Sequence, residues 1–379
     1  MIPYGKQTID DDDVQAVVDV LRGDWLTTGP TVARFESALA EYVGAEHAVA
    51  ISSGTAALHA MVNTLDIGQG DEVIVPSMTF AATANAVVFE GGTPVFVDVD
   101  PHTLCIDPAA VAAAVTPQTK AIIAVDYAGL PCDYPRLQEV AESAKVPLLT
   151  DGCHALGAAL GERRVGAITL MTSFSFHPVK PLTTAEGGAI TTDDAQLAAH
   201  MRRFRNHGLD SDARLRQANG TWRYSMVALG YNYRLSDLQS ALGLSQLAKL
   251  DGWIARRQAI AAQYDEAFAH SSLVTPLASC DHATHGRHLY VVRCHGVNRT
   301  DAFDALRRVG IGVNVHYLPV HLHPFYQEQF GTRLGMCPVA EAAYEQILSL
   351  PIYPNMTQAE IDTVIGSVQR LAKQFASVA

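Results

Sequence analysis

The chain of 379 residues has few of the features that mark secreted or membrane-spanning proteins. Its six cysteines are scattered without a Cys-x-x-Cys pair, so neither a disulfide framework nor a zinc knuckle is expected. No apolar run approaches the roughly 20 residues that a transmembrane helix needs, and the first residues show no signal-peptide pattern. We therefore expect a cytoplasmic protein with reduced thiols that does not span a membrane.

Positive charge is also scarce, since 27 Lys and Arg residues stand against 39 Asp and Glu, for a net charge of −12. Phosphate backbones attract basic surfaces, so broad contact with nucleic acid or with an anionic membrane is disfavoured. The 48% hydrophobic fraction argues against disorder. At roughly 150 residues per domain, the length suits two to three units with a large core.

Short β-branched runs alternate with alanine-rich segments between about residues 45 and 192. This alternation indicates an α/β fold, with βαβ units and a mostly parallel sheet that has helices on both faces. Two helices, 11–22 and 31–43, precede the sheet. The predicted strands are 47–51, 72–75, 94–97, 121–125, 146–149 and 189–192, and the helices between them are 55–63, 79–89, 108–115 and 134–144.

The remainder of the chain follows a different pattern. Residues 206–230 are polar and contain glycine, which predicts a long loop. A helical pattern then runs from 236 to about 270, and we place a domain boundary within it, between 1–250 and 251–379. The second part reads as a smaller α+β domain. Its predicted strands are 289–292 and 311–315, and its predicted helices are 301–308, 338–348 and 357–376.

Three motifs follow strands: two of the strands listed above, and a further apolar strand just before Lys180. Residues 52–57 are small and carry hydroxyls, so backbone N–H groups at a helix start could hold a phosphate, although a plain N-capped helix is the commoner outcome. Asp151 follows a buried strand and is equally compatible with catalysis and with capping a turn. Lys180 lies in rigid apolar sequence, where desolvation favours a reactive amine; the alternative is a snorkelling lysine at a strand end.

Together the three motifs are far more specific than each is alone. Pyridoxal phosphate (PLP) requires an amine to bind its carbonyl, an anion site for its phosphate, and a carboxylate opposite its pyridinium nitrogen. The chain supplies a phosphate cradle, an acid and a sequestered lysine, in that order. The sequence therefore predicts a PLP enzyme.

Eight blocks carry a resemblance to the sugar aminotransferases of the DegT/DnrJ/EryC/StrS group. They lie at 26–30, 53–58, 76–80, 151–155, 175–180, 186–188, 205–208 and 230–235. The resemblance spans nearly the whole chain and implies the aspartate aminotransferase fold, which is fold type I of PLP-dependent enzymes. Blocks 125–129, 180–188 and 235–247 are similar to the branch that aminates C4 of a UDP-4-keto-6-deoxy-N-acetyl hexosamine in pseudaminic acid synthesis.

The resemblance implies a role for each matched residue. Lys180 would hold PLP covalently and then act as general base, and Asp151 would keep the pyridine nitrogen protonated. Phe80 would stack on the ring, unless it is a core residue, and His154 would lie beside the cofactor, unless it is structural. The phosphate would be held by Gly54, Thr55, Ala56 and Ser175, and by Asn232 of a second subunit in a homodimer with shared active sites.

For the substrate, the resemblance implies a UDP-linked keto-sugar and L-glutamate as amino donor. The implied contacts are Tyr4, Asp24, Trp25, Leu26, Thr27, Gly54, Ser175, Asn232, Asn314, Val315, His316 and Tyr317. Two positions depart from the pattern of many members, which have Glu at Thr150 and His at Asp126. Arg234 could serve the phosphate, a substrate anion or a rim ion pair.

Other readings remain at this stage. The substrate could be a different nucleotide keto-sugar, or the chain could be a non-catalytic PLP-binding sensor or scaffold. A sugar dehydratase of the same family is disfavoured, because that branch replaces the lysine that Lys180 provides. No metal site is expected at His316, His321 and His323, because prolines break their spacing and no acid lies beside them in sequence.

Overall fold

The structure, a computed structural model, describes residues 1–280 and 282–376. Its helices are α1 (Asp11–Arg22), α2 (Pro30–Val43), α3 (Gly54–Asn63), α4 (Ala82–Phe89), α5 (Pro108–Ala114), α6 (Tyr134–Ala144), α7 (Ala195–Phe204), α8 (Ala213–Ala218), α9 (Asp237–Leu247), α10 (Leu250–Phe268), α11 (Arg299–Arg308), α12 (Pro324–Phe330), α13 (Pro338–Tyr344) and α14 (Gln358–Ala376). Its strands are β1 (His47–Ile51), β2 (Glu72–Pro76), β3 (Thr93–Val97), β4 (Thr119–Val125), β5 (Leu148–Asp151), β6 (Ala159–Leu160), β7 (Arg163–Arg164), β8 (Met171–Ser175), β9 (Gly188–Thr192), β10 (Val274–Pro276), β11 (Ala283–Thr284), β12 (Tyr290–Cys294) and β13 (Ile347–Leu350).

The main sheet has seven strands in the order β1-β9-β8-β5-β4-β2-β3. Strand β9 is antiparallel to both of its neighbours, and the pairs from β8 to β3 are parallel. The predicted mostly parallel sheet is therefore confirmed. Because β1, β2, β4, β5 and β8 run in one direction, their carboxyl ends meet at one edge, where open α/β sheets bind ligands.

A second, antiparallel sheet has the order β10-β12-β13, and a small third sheet has the order β11-β6-β7. Apolar side chains of α10, α11 and α14 form a core against the second sheet, with Ile260, Tyr264 and Val364 fully buried. This arrangement is the α+β part that the sequence predicts after the main sheet.

Two predicted elements of the C-terminal part differ from those observed. The strand at 311–315 does not form, since Ile311 and Asn314 make only isolated bridges, to Ile2 and Ser349. Here the N-terminal segment passes so close that a Cβ on Gly312 would lie 2.8 Å from the Ile2 carbonyl oxygen. The predicted helix at 338–348 ends at Tyr344, because Ile347–Leu350 is fully buried and pairs with β12.

The long loop predicted at 206–230 contains the short helix α8. The helical pattern from 236 to 270 is two helices, α9 and α10, which meet at Ala248 and Lys249. Within the part of the chain that the structure describes, no helix combines the length and the apolar composition that crossing a membrane requires.

Candidate active site

A cavity of about 400 Å³ lies at the carboxyl edge of the main sheet. Strands β1, β2, β5 and β8 lead into it, as their parallel direction requires. It brings together most of the residues predicted for cofactor and substrate. Those that line it are Tyr4, Gly54, Thr55, Phe80, Asp151, His154, Ser175, Lys180, Asn314, Val315, His316 and Tyr317.

One wall of the cavity is the start of α3. The Ser53 hydroxyl accepts a hydrogen bond of 3.0 Å from the Ala56 N–H, which caps the helix. A Cβ on Gly54 would lie 2.8 Å from the Ser175 Cβ and 3.0 Å from the Cys153 Sγ, so the loop accepts no side chain there. The helix start, with its positive dipole end, therefore lies open beside the Ser175 hydroxyl, as an anion site requires.

Asp151 ends β5 at a second wall, and its side chain is oriented by two donors. The Thr83 hydroxyl donates to Oδ2 at 2.7 Å, and the Cys153 N–H donates to Oδ1 at 3.1 Å. Thr79 lies 2.8 Å from Thr83 and extends this hydrogen-bond chain. Thr83 was not identified from the sequence, because threonine within an alanine-rich helix carries no distinctive signal.

Lys180 reaches the cavity from the turn after β8. The turn is closed by a hydrogen bond of 2.9 Å from the Lys180 N–H to the His177 carbonyl. Burial lowers the pKa of the Lys180 ammonium below its usual value, and the nearby Cys153 and Asp151 partly oppose this. The lysine therefore holds a larger fraction of reactive free amine at neutral pH than an exposed lysine would.

Three buried histidines form a further part of the wall. His154 Nε2 lies 2.9 Å from the Tyr317 hydroxyl, and the His154 ring is 4.5 Å from that of His288. Burial holds the pKa of His154 and His288 well below the usual range and lowers the pKa of His316 to about 4. All three are therefore neutral near pH 7. His288 was missed, although a histidine just before an apolar strand was a signal that could have identified it.

Phe80 is exposed at the cavity mouth rather than packed in the core. Its side chain is 59% accessible, and its ring centroid lies 5.9 Å from that of Tyr317. This position leaves a ring face open to the cavity, which is compatible with stacking on a planar cofactor.

Several predicted site residues lie outside the cavity. Ala56 is buried in α3 with its N–H bonded to Ser53, and Asn232 is exposed and bridges to Asn206. Asp24 and Trp25 line a separate cavity of about 650 Å³. Leu26 is exposed, and Thr27 bridges to Ser236. One chain alone therefore does not bring these residues to Lys180.

The residues present fit PLP. A helix start can take its phosphate, Asp151 offers an oriented carboxylate, and Lys180 offers a desolvated amine. His154 Nδ1 is buried without a hydrogen-bond partner among the described residues, so the wall also carries an unused polar atom.

A second histidine cluster lies outside this cavity. His321 Nδ1 is 2.7 Å from the Ser77 hydroxyl, and its Nε2 is 2.9 Å from Glu341 Oε1. Glu341 does not lie beside these histidines in sequence, but folding brings it to His321. Ser77 and His321 are fully buried, so this Ser-His-Glu set is closed to substrates. The described residues contain no group of three or more potential metal ligands.

Comparison with known proteins agrees with this geometry. The model of the DegT/DnrJ/EryC1/StrS aminotransferase family matches residues 7–369. The spore coat polysaccharide biosynthesis protein SpsC of Bacillus subtilis is 42% identical, over 98% of this chain and 97% of that protein.

Solved structures show the same similarity. Spr1654 of Streptococcus pneumoniae, in its PMP-form, superposes with a TM-score of 0.95 at 34% identity, covering 99% of this chain and 100% of that one. Helicobacter pylori PseC, an aminotransferase involved in the biosynthesis of pseudoaminic acid, superposes with a TM-score of 0.92 at 32% identity, covering 98% and 99%.

Proposed function

The chain belongs to the DegT/DnrJ/EryC1/StrS aminotransferase family, and on that premise we propose that it aminates a nucleotide-linked keto-sugar. The family is PLP-dependent, so PLP is the cofactor of this enzyme. The fold is that of the PLP-dependent aminotransferases of fold type I.

The proposed reaction takes the amino group from L-glutamate and transfers it to C4 of a UDP-4-keto-6-deoxy-N-acetyl hexosamine. The likeness to PseC supports this choice, because that protein is an aminotransferase of pseudoaminic acid biosynthesis. SpsC, a protein of polysaccharide biosynthesis, also supports a sugar substrate.

One observation carries the proposal: Lys180, Asp151 and the start of α3 line the same cavity. PLP, when bound, supplies an electron sink for the transfer of the amino group. Lys180 would hold the cofactor and, once released, move the proton on the donor carbon, for which its lowered pKa suits it. Asp151 would hold a negative charge opposite the ring nitrogen, with Thr83 fixing its orientation.

We infer that the predicted residues far along the chain from the cradle, Asn232 and Asp24 to Thr27, act on the neighbouring subunit of a homodimer. Asn232 and Leu26 are exposed on the single chain, and Asp24 and Trp25 lie away from Lys180. An exposed apolar strip in the same region would supply a surface for a second copy. Its members are Trp222, Tyr224, Met226, Val227 and Leu229.

We also propose that the chain forms two domains. Residues 1–250 would form the PLP-binding domain and 251–379 the smaller domain, of which 281 and 377–379 lie outside the described residues. We place the enzyme in the cytoplasm.

The proposal is tested with purified enzyme loaded with PLP. Addition of L-glutamate should change the cofactor absorption and release 2-oxoglutarate, and the sugar should then restore the first spectrum and gain an amine. A panel of nucleotide keto-sugars, with the product amine located by NMR, identifies the substrate. Glutamate turnover without amination of any sugar would contradict the proposed acceptor but not the donor half-reaction.

A further inference from the structure

Two carboxyl groups lie at the ends of adjacent parallel strands, and their surroundings differ. Asp151 ends β5, and Asp126 directly follows β4. The Asp126 N–H donates to the Asp151 carbonyl at 3.2 Å, so the two residues lie side by side. Asp151 lines the cavity, whereas fully buried Asp126 is not among the described residues that do. Asp126 is therefore a neighbour of the cavity-lining Asp151 and does not itself line the cavity.

The hydrogen bonds of Asp151 suit an ionised carboxylate. Both of its oxygens accept a bond, Oδ2 from the Thr83 hydroxyl and Oδ1 from the Cys153 N–H. Donors on both oxygens stabilise a charge that is shared between them.

The hydrogen bonds of Asp126 follow a different pattern. Its Oδ1 accepts two bonds, from the Cys132 N–H at 2.9 Å and the Tyr134 hydroxyl at 2.7 Å. Its Oδ2 is buried and has no hydrogen-bond partner among the described residues. A charge on Oδ2 would be buried without compensation, whereas a neutral acid carries its proton there and uses Oδ1 as a carbonyl oxygen.

The charges that face Asp126 agree with this pattern. Burial raises the pKa of Asp126 to about 7, and the nearby charge of Asp151 on β5 acts in the same direction. The hydrogen bonds from Tyr134 and Cys132, which approach from the start of α6, lower it in part. Burial also raises the pKa of the Cys132 thiol and of the Tyr134 hydroxyl well above the usual range, so both groups face Asp126 uncharged.

We propose that Asp126 is a positioning residue that stays a neutral carboxylic acid up to near-neutral pH, so that of these two adjacent carboxyls only Asp151 then carries a charge. Two ionised carboxylates side by side repel each other, which favours a proton on one of them. The different hydrogen-bond donors favour the neutral form of Asp126 and the charged form of Asp151. The effect of Asp126 on the cofactor rests on the proposed place of Asp151 opposite the cofactor nitrogen. The protonation state of Asp126 does not depend on that proposal.

The direct test is infrared spectroscopy of apoenzyme and holoenzyme that carry ¹³C-labelled aspartate. Between about pH 6 and about pH 9, a carboxylic-acid C=O band should disappear with a midpoint near neutrality. The band should be missing in Asp126→Asn. Tyr134→Phe removes a donor that favours the charged form, so it should move the midpoint upward by about one pH unit.

The second arm measures the bound cofactor. The wild-type cofactor absorption should change with pH near neutrality. Asp126→Asn should bind PLP normally and keep most of the glutamate half-reaction near pH 6, but its cofactor absorption should lack that change. If Asp126→Asn does not fold, the proposal is tested by the pH midpoint of the infrared band in Tyr134→Phe, which should still be higher than in the wild type.

The proposal would be overturned if the wild type lacked the carboxylic-acid band of labelled aspartate at about pH 6, or if that band persisted in Asp126→Asn. Because the infrared experiment works on apoenzyme, its failure is distinguishable from failure of the proposed sugar reaction.

Discussion

The Thr83 hydroxyl on α4 lies 2.7 Å from Asp151 Oδ2 at the end of β5, and this bond joins a helix to the acid that we propose faces the cofactor. We expect Thr83→Val to leave Asp151 charged but less well oriented. A hydrogen bond to a charged group contributes about 1.5–3 kcal/mol, so PLP affinity should fall by at least tenfold. A spectroscopic PLP titration measures the loss.

Thr79→Val is the matched control for that experiment. Thr79 bonds to Thr83 at 2.8 Å, whereas the side-chain oxygens of Asp151 accept from Thr83 and Cys153, so removal of the Thr79 hydroxyl should weaken PLP binding less. Equal losses in both variants would show that Thr83 acts through the packing of α4 rather than through Asp151.

The charge of Asp151 should set the reactivity of Lys180. Burial lowers the pKa of Lys180, and Asp151 raises it in part, so Asp151→Asn should lower it further. The rate of acetylation of Lys180 in apoenzyme, followed against pH by mass spectrometry, should rise at a lower pH in the variant. Exposed Lys145 serves as the internal reference. If the acetylation of Lys180 in Asp151→Asn instead began at a higher pH than in the wild type, the proposed effect of the Asp151 charge on Lys180 would be wrong.

Gly54 should tolerate no side chain. A Cβ there would lie 2.8 Å from the Ser175 Cβ, so Gly54→Ala should displace the start of α3 and weaken PLP binding by about 1–3 kcal/mol. The control is Gly252→Ala within α10, where a Cβ meets nothing within 4 Å. That variant should raise the free energy of unfolding by about 0.5–1 kcal/mol and leave PLP affinity unchanged. Unchanged PLP affinity in Gly54→Ala would show that the cradle lies elsewhere.

Hybrid dimers test whether Asn232 serves the partner's site. Lys180→Ala and Asn232→Ala subunits, each with low activity alone, should form mixed dimers in which one site regains both wild-type residues. Random mixing should then restore about a quarter of wild-type activity. If mixing restores no activity although mass spectrometry detects the mixed dimers, Asn232 acts within its own chain.

The sequence predicted the sheet well because its signals are local. Strand 47–51 and helix 134–144 match β1 and α6, since apolar runs and helical spacing are readable without tertiary contacts. The strand predicted at 311–315 failed because its pairing depends on where Ile2 lies, which is a long-range contact.

The candidate site also combines residues with local sequence signals and residues that only tertiary contacts bring in. Lys180, Asp151 and Gly54 follow strand ends, and the parallel direction of those strands brings them together. Thr83 supports the same site without any local motif, and the contact between His321 and Glu341 joins residues that no spacing connects. Side chains that act through tertiary packing were the ones that sequence reasoning missed.

We propose above all that the Lys180 amine binds the cofactor, and reduction of the PLP-loaded enzyme with borohydride, followed by mapping of the modified peptide, addresses this proposal. The added mass should lie on Lys180, and prior incubation with L-glutamate should prevent its attachment. An active enzyme whose cofactor is attached to a different lysine would rule out this role of Lys180.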